Sequence, residues 1–305
     1  MTEVATVTMN PAIDHTVFLE TFAPNMLNRA TNVEYNIGGK GINVSKVLSY
    51  LKVPSIALGF LGRNALFFED ELKAMGIETD FVEVTGRTRT NIKVVDMSSA
   101  KVTEINEPGP SISEEKLEML LEKLRECSKA CKYVVLSGSL PPGIESSIYK
   151  TLIKEVQSLG ALAILDAEGD ALRNGIEAVP FMIKPNIHEL EGFLGRTINN
   201  HKDLMNVCRN LLGTGVSLVV VSMGNQGSLC ASKEGIYRVH PLTIDVKNTV
   251  GAGDAMVSGY VYGLLNGLEG EALASFGAAV SCAQIVGDFS MLDSLRAQIR
   301  IERWE

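Results

Sequence analysis

Cysteine is scarce in this chain and badly placed for cross-linking. Cys127, Cys131, Cys208, Cys230 and Cys282 are scattered through 305 residues, and an odd set without framework spacing excludes a disulfide-built scaffold and fits a reducing compartment. Cys127 and Cys131 lie four apart on one predicted helix, as half a metal site would, but no second cysteine or histidine pair follows at zinc spacing. Structural thiols are the expectation there. The four histidines are too dispersed for a ligand cluster; His15 and His188 adjoin candidate motifs, yet neither is assigned a catalytic role. Positive charge is also short: 28 Lys and Arg against 36 Asp and Glu leave a net −8, which argues against a non-specific grip on nucleic acid or anionic membrane. Any anion site must therefore be built locally. No apolar run is long enough for a membrane span of ~20 residues; Ala272–Val286 is broken by Ser275, Gly277, Ser281 and Gln284 and reads as a buried helix. Met1, Thr2 and Glu3 lead into a strand-like stretch without a basic segment followed by an apolar run, so a cytoplasmic location is expected.

What is present is a regular alternation. Continuously apolar, β-branched runs at Val4–Met9, Ile56–Phe60, Tyr133–Ser137, Leu162–Asp166, Phe181–Lys184 and Leu218–Ser222 read as strands covered on both faces. Between them lie helical patterns at about Ile42–Leu51, Phe67–Met75, Ser113–Cys131, Ser146–Leu159 and Lys202–Leu212. Such alternation predicts an α/β fold, a doubly wound and mainly parallel sheet with helices on both faces. With 46% apolar residues, one large domain spanning 1–305 can bury its core. Two segments break the rhythm, about 15–36 and 89–106, and are read as a small antiparallel β lid inserted beside an active site.

Four strings carry candidate chemistry. In Asn248-Thr249-Val250-Gly251-Ala252-Gly253-Asp254 a glycine-rich turn opens a helical pattern, Ala255–Leu265. The unpaired N–H groups of such a start, aided by the helix dipole, suit a phosphate oxygen. Asp254 would then stand beside a transferring phosphoryl group, where a carboxylate suffices to take a proton late in the transfer. The alternative reading is a capped strand-to-helix turn. Gly38-Gly39-Lys40-Gly41-Ile42-Asn43 also precedes a helix, but with neither GxGxxG nor GxxxxGK[ST] spacing. It suits a polyhydroxylated ligand, or an ordinary helix-initiating turn. Lys184-Pro185-Asn186-Ile187-His188-Glu189 follows a predicted strand; Glu189 either holds Mg²⁺ through water or closes a capping box on Asn186. Ser222–Gly227 reads as a nucleotide-contacting loop or a hairpin turn.

In this order the strings resemble the ribokinase, or PfkB, family of carbohydrate kinases over essentially the whole chain. TMNPAID at Thr8–Asp14, GGKGINVSKVL at Gly38–Leu48, TRTNIK at Thr88–Lys93, TEIN at Thr103–Asn106, SGSLPPG at Ser137–Gly143 and KPNIHEL at Lys184–Leu190 resemble its phosphosugar branch, which contains 1-phosphofructokinase and tagatose-6-phosphate kinase. The resemblance implies an ATP-dependent kinase of a ketohexose monophosphate, with fructose 1-phosphate favoured over tagatose 6-phosphate, and ATP and Mg²⁺ as cofactors. It implies Asp254 as the base with Gly251, Ala252 and Gly253 as the anion hole. Asp14, Gly39, Lys40 and Asn43 would hold the sugar, with Arg89 and Arg29 at its phosphate and Asn91 and Ser139 in the same pocket. Lys184, Asn186, Ser222, Gly224 and Gly227 would line the nucleotide groove, Glu189 and Asn186 would organise Mg²⁺, and the lids would pair in a homodimer. One departure stands out: after Gly59-Phe60-Leu61-Gly62 the bulky Arg63-Asn64-Ala65-Leu66-Phe67-Phe68 replaces an expected glycine-rich step. Two other classes remain: a catalytically silent sugar-phosphate or nucleotide sensor on the same fold, disfavoured by the presence of Asp254, and a nicotinamide oxidoreductase, disfavoured by the missing early glycine fingerprint.

Overall fold

A computed structural model describes residues 2–305. The apolar runs form the middle of an 11-stranded sheet. Its parallel centre comprises β1 (Val4–Thr8), β4 (Ser55–Gly62), β9 (Tyr133–Ser137), β10 (Leu162–Asp166), β11 (Met182–Ile183) and β12 (Leu218–Ser222). One edge adds β5 (Glu78–Thr79) and β6 (Val82–Val84), and the other adds the antiparallel β13 (Ser228–Ser232), β14 (Gly235–Val239) and β15 (Ile301–Arg303). The order is β15-β14-β13-β12-β11-β10-β9-β1-β4-β5, with β6 beside β4. Every residue of β1 and β9 is buried, as expected of strands covered by helices on both faces. The chain order doubles back beside β1, and open α/β sheets bind ligands outside the carboxyl ends of their strands at such a switch point.

The expected lid is the second sheet, β3-β2-β7-β8, built from β2 (Ala12–Leu19), β3 (Asn32–Gly38), β7 (Arg89–Asp96) and β8 (Lys101–Asn106). Its outer pairings are antiparallel, whereas the central β2·β7 pairing is parallel. The cause is connectivity: β7 returns from the main sheet instead of following β2 through a hairpin. Register aligns Tyr35, His15, Ile92 and Ile105 on one face, with Val33, Val17 and Val94 beside them, and Asp14 with Asn91 on the other. Leu19 ends the same row and is buried, whereas Val102 pairs with Val95 and so lies on the opposite face. Among the described residues no helix is long and apolar enough to cross a membrane, and Gly270–Val286 is a mostly buried helix packed on the helix Ala252–Leu265.

Candidate active site

Registered rows across the sheet bring Thr8, Ser137 and Asp166 side by side at the carboxyl ends of β1, β9 and β10. Thr8 also anchors a helix. Its hydroxyl accepts the Ile42 N–H at 2.9 Å, seating the first turn of the helix Lys40–Tyr50 against β1. At the start of that helix Gly39 has φ 124°, and a Cβ there would lie 2.6 Å from the Thr8 methyl; only glycine supplies that bend at that closeness. The helix then aims Lys40 and Asn43 at the strand ends.

Asn43 Nδ2 donates to Asp254 Oδ2 at 2.8 Å. Asp254 is buried in the first turn of the helix Ala252–Leu265, whose N-cap, Gly251, is left-handed at φ 76°. The Ala252 N–H is turned onto the Thr249 carbonyl at 3.3 Å and the Ala255 N–H onto Gly251 at 2.8 Å. Those of Gly251, Gly253 and Asp254 find no protein acceptor among the described residues, so Ala252 contributes least of the expected anion hole. A Cβ on Gly253 would sit 3.3 Å from Lys184 Nζ, which puts an ammonium against the same helix start.

Lys184 and Lys40 converge on one carboxylate that the sequence strings did not single out. Asp166 Oδ1 lies 3.2 Å from Lys40 Nζ and 3.5 Å from Lys184 Nζ. Its other oxygen, Oδ2, is buried without a partner. Lys40 Nζ is also 3.8 Å from Glu189 Oε1. The signal was available: an acidic residue ends the apolar run Leu162–Asp166, where a buried charge must be paired. Burial works against charge on both partners. The lysines nevertheless hold the Asp166 carboxyl below its usual range, and Asp166, Glu189 and Asp254 together push the Lys40 ammonium up. For Asp254 the balance is reversed: burial and the neighbouring Asp166 charge raise it to about 6, against the opposing pull of Asn43, Lys40 and Lys184.

The capping-box reading of Glu189 is the one the geometry displays. Oε2 accepts the Asn186 N–H at 2.8 Å and Asn186 Oδ1 accepts the Glu189 N–H at 2.8 Å, a capping box on the helix Ile187–Leu194. Oε1 remains turned toward Lys40. Among the described residues no group of three or more His, Cys, Asp or Glu is spaced to hold a metal.

A cleft of about 820 Å³ runs alongside, lined by Asn186, Ser222, Gly224, Gly227 and Gly253, with apolar walls from Met256 and Ile285. Ser222–Gly227 links the antiparallel β12 and β13, so the hairpin and the cleft-lining loop are the same feature. Lys184 is 4% exposed and is not itself in the cleft lining; it packs against Gly253, which is.

On the lid side, Asn91 Nδ2 donates to Asp14 Oδ1 at 3.1 Å. Asn91 Oδ1 and Arg89 Nε are buried with no partner, polar atoms aimed at something other than protein. Burial lowers the Arg89 guanidinium from its ordinary value, against the pull of Asp14 and Glu168. The unexpected Asn64 explains the departure after Gly62: its amide donates to the Thr88 carbonyl at 3.0 Å and accepts the Thr88 N–H at 2.9 Å, fixing the backbone that presents Arg89. Ser139 is half-buried after Gly138, which packs near the stem of Lys40. Arg29 stands apart, exposed in the β2–β3 loop with no ion pair among the described residues.

The family model described as pfkB family carbohydrate kinase matches residues 7–287. The chain belongs to that family. It is 35% identical over 303 residues to a 1-phosphofructokinase of Borreliella burgdorferi, covering 97% of both chains, and 33% identical over 303 residues to that of Bacillus subtilis, covering 98% of this chain and 99% of the relative. Phosphofructokinase-2 from Escherichia coli, solved in complex with fructose-6-phosphate, superposes with a TM-score of 0.91 at 26% identity, covering 97% of this chain and 99% of that one. The chain is thus a kinase, a phosphotransferase acting on an alcohol group, on a fold of the expected class.

Proposed function

We propose that this kinase transfers the γ-phosphoryl group of ATP to the C6 hydroxyl of fructose 1-phosphate, giving fructose 1,6-bisphosphate. The observation that carries the reading is the position of Asp254. It directly follows Gly253, which lines the Ser222–Ile285 cleft, and is joined through Asn43 to the helix that abuts the lid, and the two relatives named above are 1-phosphofructokinases. Nucleotide occupies the cleft along Asn186, Ser222, Gly224 and Gly227, and the sugar lies under the lid against Asp14, Gly39, Asn43, Asn91 and Ser139. Arg89 faces the phosphate already present, with Arg29 swinging in from its loop. The tagatose 6-phosphate alternative finds no support among these relatives.

In the transfer, the attacking oxygen forms a bond to the γ-phosphorus, the bond from that phosphorus to the β-bridging oxygen breaks, and Asp254 takes the hydroxyl proton as the new bond forms. A carboxyl raised to about 6 is ionised at neutral pH and a better proton acceptor than an ordinary aspartate. The N–H groups of Gly251 and Gly253 and the Lys184 ammonium meet the charge on the moving phosphoryl oxygens. Mg²⁺ suits a single free carboxylate oxygen, because the ion keeps most of its water and takes phosphate oxygens for the rest. Glu189 Oε1, which accepts no hydrogen bond among the described residues and faces Lys40 at 3.8 Å, would be such an oxygen, with Asn186 fixing its carboxylate, and the ion would offset charge on the ATP phosphates. The whole of 1–305 acts as one kinase domain, with 15–36 and 89–106 as the lid that excludes water. The apolar lid face of Tyr35, Val17, Ile92 and Ile105 supports pairing of two copies; a monomeric mass by light scattering at micromolar concentration would refute it. Five free thiols fit a cytoplasmic place of work.

The test is ADP release with MgATP and, in parallel, fructose 1-phosphate, tagatose 6-phosphate, fructose 6-phosphate and fructose, compared as kcat/KM. Preference for fructose 1-phosphate is expected. Preference for another sugar overturns the substrate, and no turnover with any, despite ATP binding, restores the sensor reading.

A further inference from the structure

Lys40 lies in a glycine-rich string whose family resemblance points to the sugar, but its geometry gives it other partners. Its ammonium is held between Asp166 and Glu189, at 3.2 and 3.8 Å, while the polar lid pair Asp14–Asn91 is bonded to itself. Asp166 is 1% exposed, ends β10, and is the one carboxylate that both Lys40 and Lys184 approach through a single oxygen. Two ammoniums gathered on one oxygen of a buried carboxylate repel each other, and the other oxygen is left unpartnered. An anionic group seated between the two lysines would relieve that repulsion.

Each lysine enters from a different element. Lys40 comes from the helix following the lid and Lys184 from the loop after β11, and Lys184 is already packed on Gly253 at the start of the Asp254 helix. Without a shared anchor, two flexible stems and two like charges would separate. Asp166 Oδ1 is that anchor.

Resting on the kinase reading above, we propose that Asp166 is a positioning residue which holds Lys40 and Lys184 as a pair around the transferring phosphoryl group, so that Lys40 serves the transfer and not the sugar. Lys184 then lies on the helix-start side and Lys40 on the Glu189 side of the group in flight. Asp254 faces Asp166, Lys40, Lys184 and Asn43, so a change at Asp166 is also felt by the base.

Three variants read this with the sugar phosphate that the wild type turns over. Lys40→Met, at a half-buried position, is expected to lower kcat at least 30-fold with the KM for the sugar phosphate within threefold. Asp166→Asn should lower kcat at least tenfold with the same split, and move the acid limb of the kcat/KM pH profile to lower pH, since the base loses a negative neighbour. The double variant should lose little more than the worse single, because both act through one arrangement. A Lys40→Met enzyme with normal kcat and a sugar-phosphate KM raised tenfold or more returns Lys40 to the sugar and overturns the proposal. So does an Asp166→Asn enzyme with wild-type kcat and an unmoved acid limb, or losses that multiply in the double variant. If Asp166→Asn fails to fold by circular dichroism, the Lys40→Met split decides alone. Failure of the kinase reading shows separately, as absence of turnover in the wild type.

Discussion

Replacing Asp254 by Asn separates what the residue does for chemistry from what it costs the fold. The Asp254 carboxyl is raised from an ordinary 3.8 to about 6 by burial and by Asp166. Each pH unit of such a displacement is worth about 1.4 kcal/mol, so the ionised carboxylate costs the folded state on the order of 3 kcal/mol at neutral pH. The sign runs opposite to that of a salt-bridged aspartate. Because the folded protein binds the proton more tightly than the unfolded chain, the cost is absent below pH 3.8, grows between 3.8 and about 6, and is full above that. Asn is nearly isosteric, and its amide oxygen can still accept from Asn43 Nδ2. Asp254→Asn should therefore raise unfolding stability in urea at pH 7, by up to about 3 kcal/mol, with that advantage falling to roughly half at pH 5. At the same time kcat should fall by at least ~10²-fold, the scale of a lost positioned base. Measuring both proteins without ligand, at pH 5 and 7, cancels the titrating groups that do not feel Asp254, leaving its own proton and its effect on Asp166 and Lys40. An Asn variant that is less stable at pH 7, or whose advantage does not change with pH, refutes the electrostatic account; near-normal turnover refutes the catalytic one.

Arg89→Ala removes a half-buried guanidinium whose Nε has no protein partner. It should raise the KM for the phosphorylated sugar by about 10- to 100-fold and leave that for ATP within threefold; an equal effect on both would sink the assignment. Gly253→Ala places a methyl 3.3 Å from Lys184 Nζ. A drop in kcat of at least tenfold is expected with no loss of melting temperature, since alanine is the better helix former by about 1 kcal/mol; normal kcat would detach Lys184 from the helix start. Glu189→Gln keeps an oxygen for the capping box and loses only charge, so the Mg²⁺ concentration needed for half-maximal rate should rise while stability holds. Glu189→Ala should lose the same activity and about 1 kcal/mol of stability as well. An unchanged Mg²⁺ requirement in the Gln variant would remove Glu189 from the metal.

The parallel centre of the sheet was legible because burial on both faces writes itself as unbroken apolar runs: β9, β10 and β12 have the bounds read from sequence. The strands β13 to β15 were not: Ser228–Ser232 is short with serine at both ends, and Ile301–Arg303 is a three-residue edge strand, two of its residues charged, whose pairing is set by the distant β14. The same divide runs through the site. Glycine strings announced the starts of the helices Lys40–Tyr50 and Ala252–Leu265 because only glycine tolerates Gly39 and Gly251 as they stand. For Asp166 the sequence signals only a buried charge in need of a partner; the partner, Lys40, is 126 positions away. Asn64 looked like a departure for the same reason, since its role is bonding to Thr88 across 24 positions.

The distribution of charge explains how an acidic chain can serve two acidic substrates. Around the reaction point stand the carboxylates of Asp14, Asp166, Glu189 and Asp254 and the cations Lys40, Lys184 and Arg89. Before substrates arrive there is no excess of positive charge to draw a polyanion in. Selectivity must then come from placement. Asp166 Oδ1 is charge-paired with two ammoniums and Glu189 Oε1 faces Lys40, so much of their charge is offset before a phosphate arrives. Asp254, the carboxylate with a net unfavourable setting, is the group proposed above to take the proton. The fold thus concentrates its electrostatic strain on the atom that has to change state and neutralises the rest.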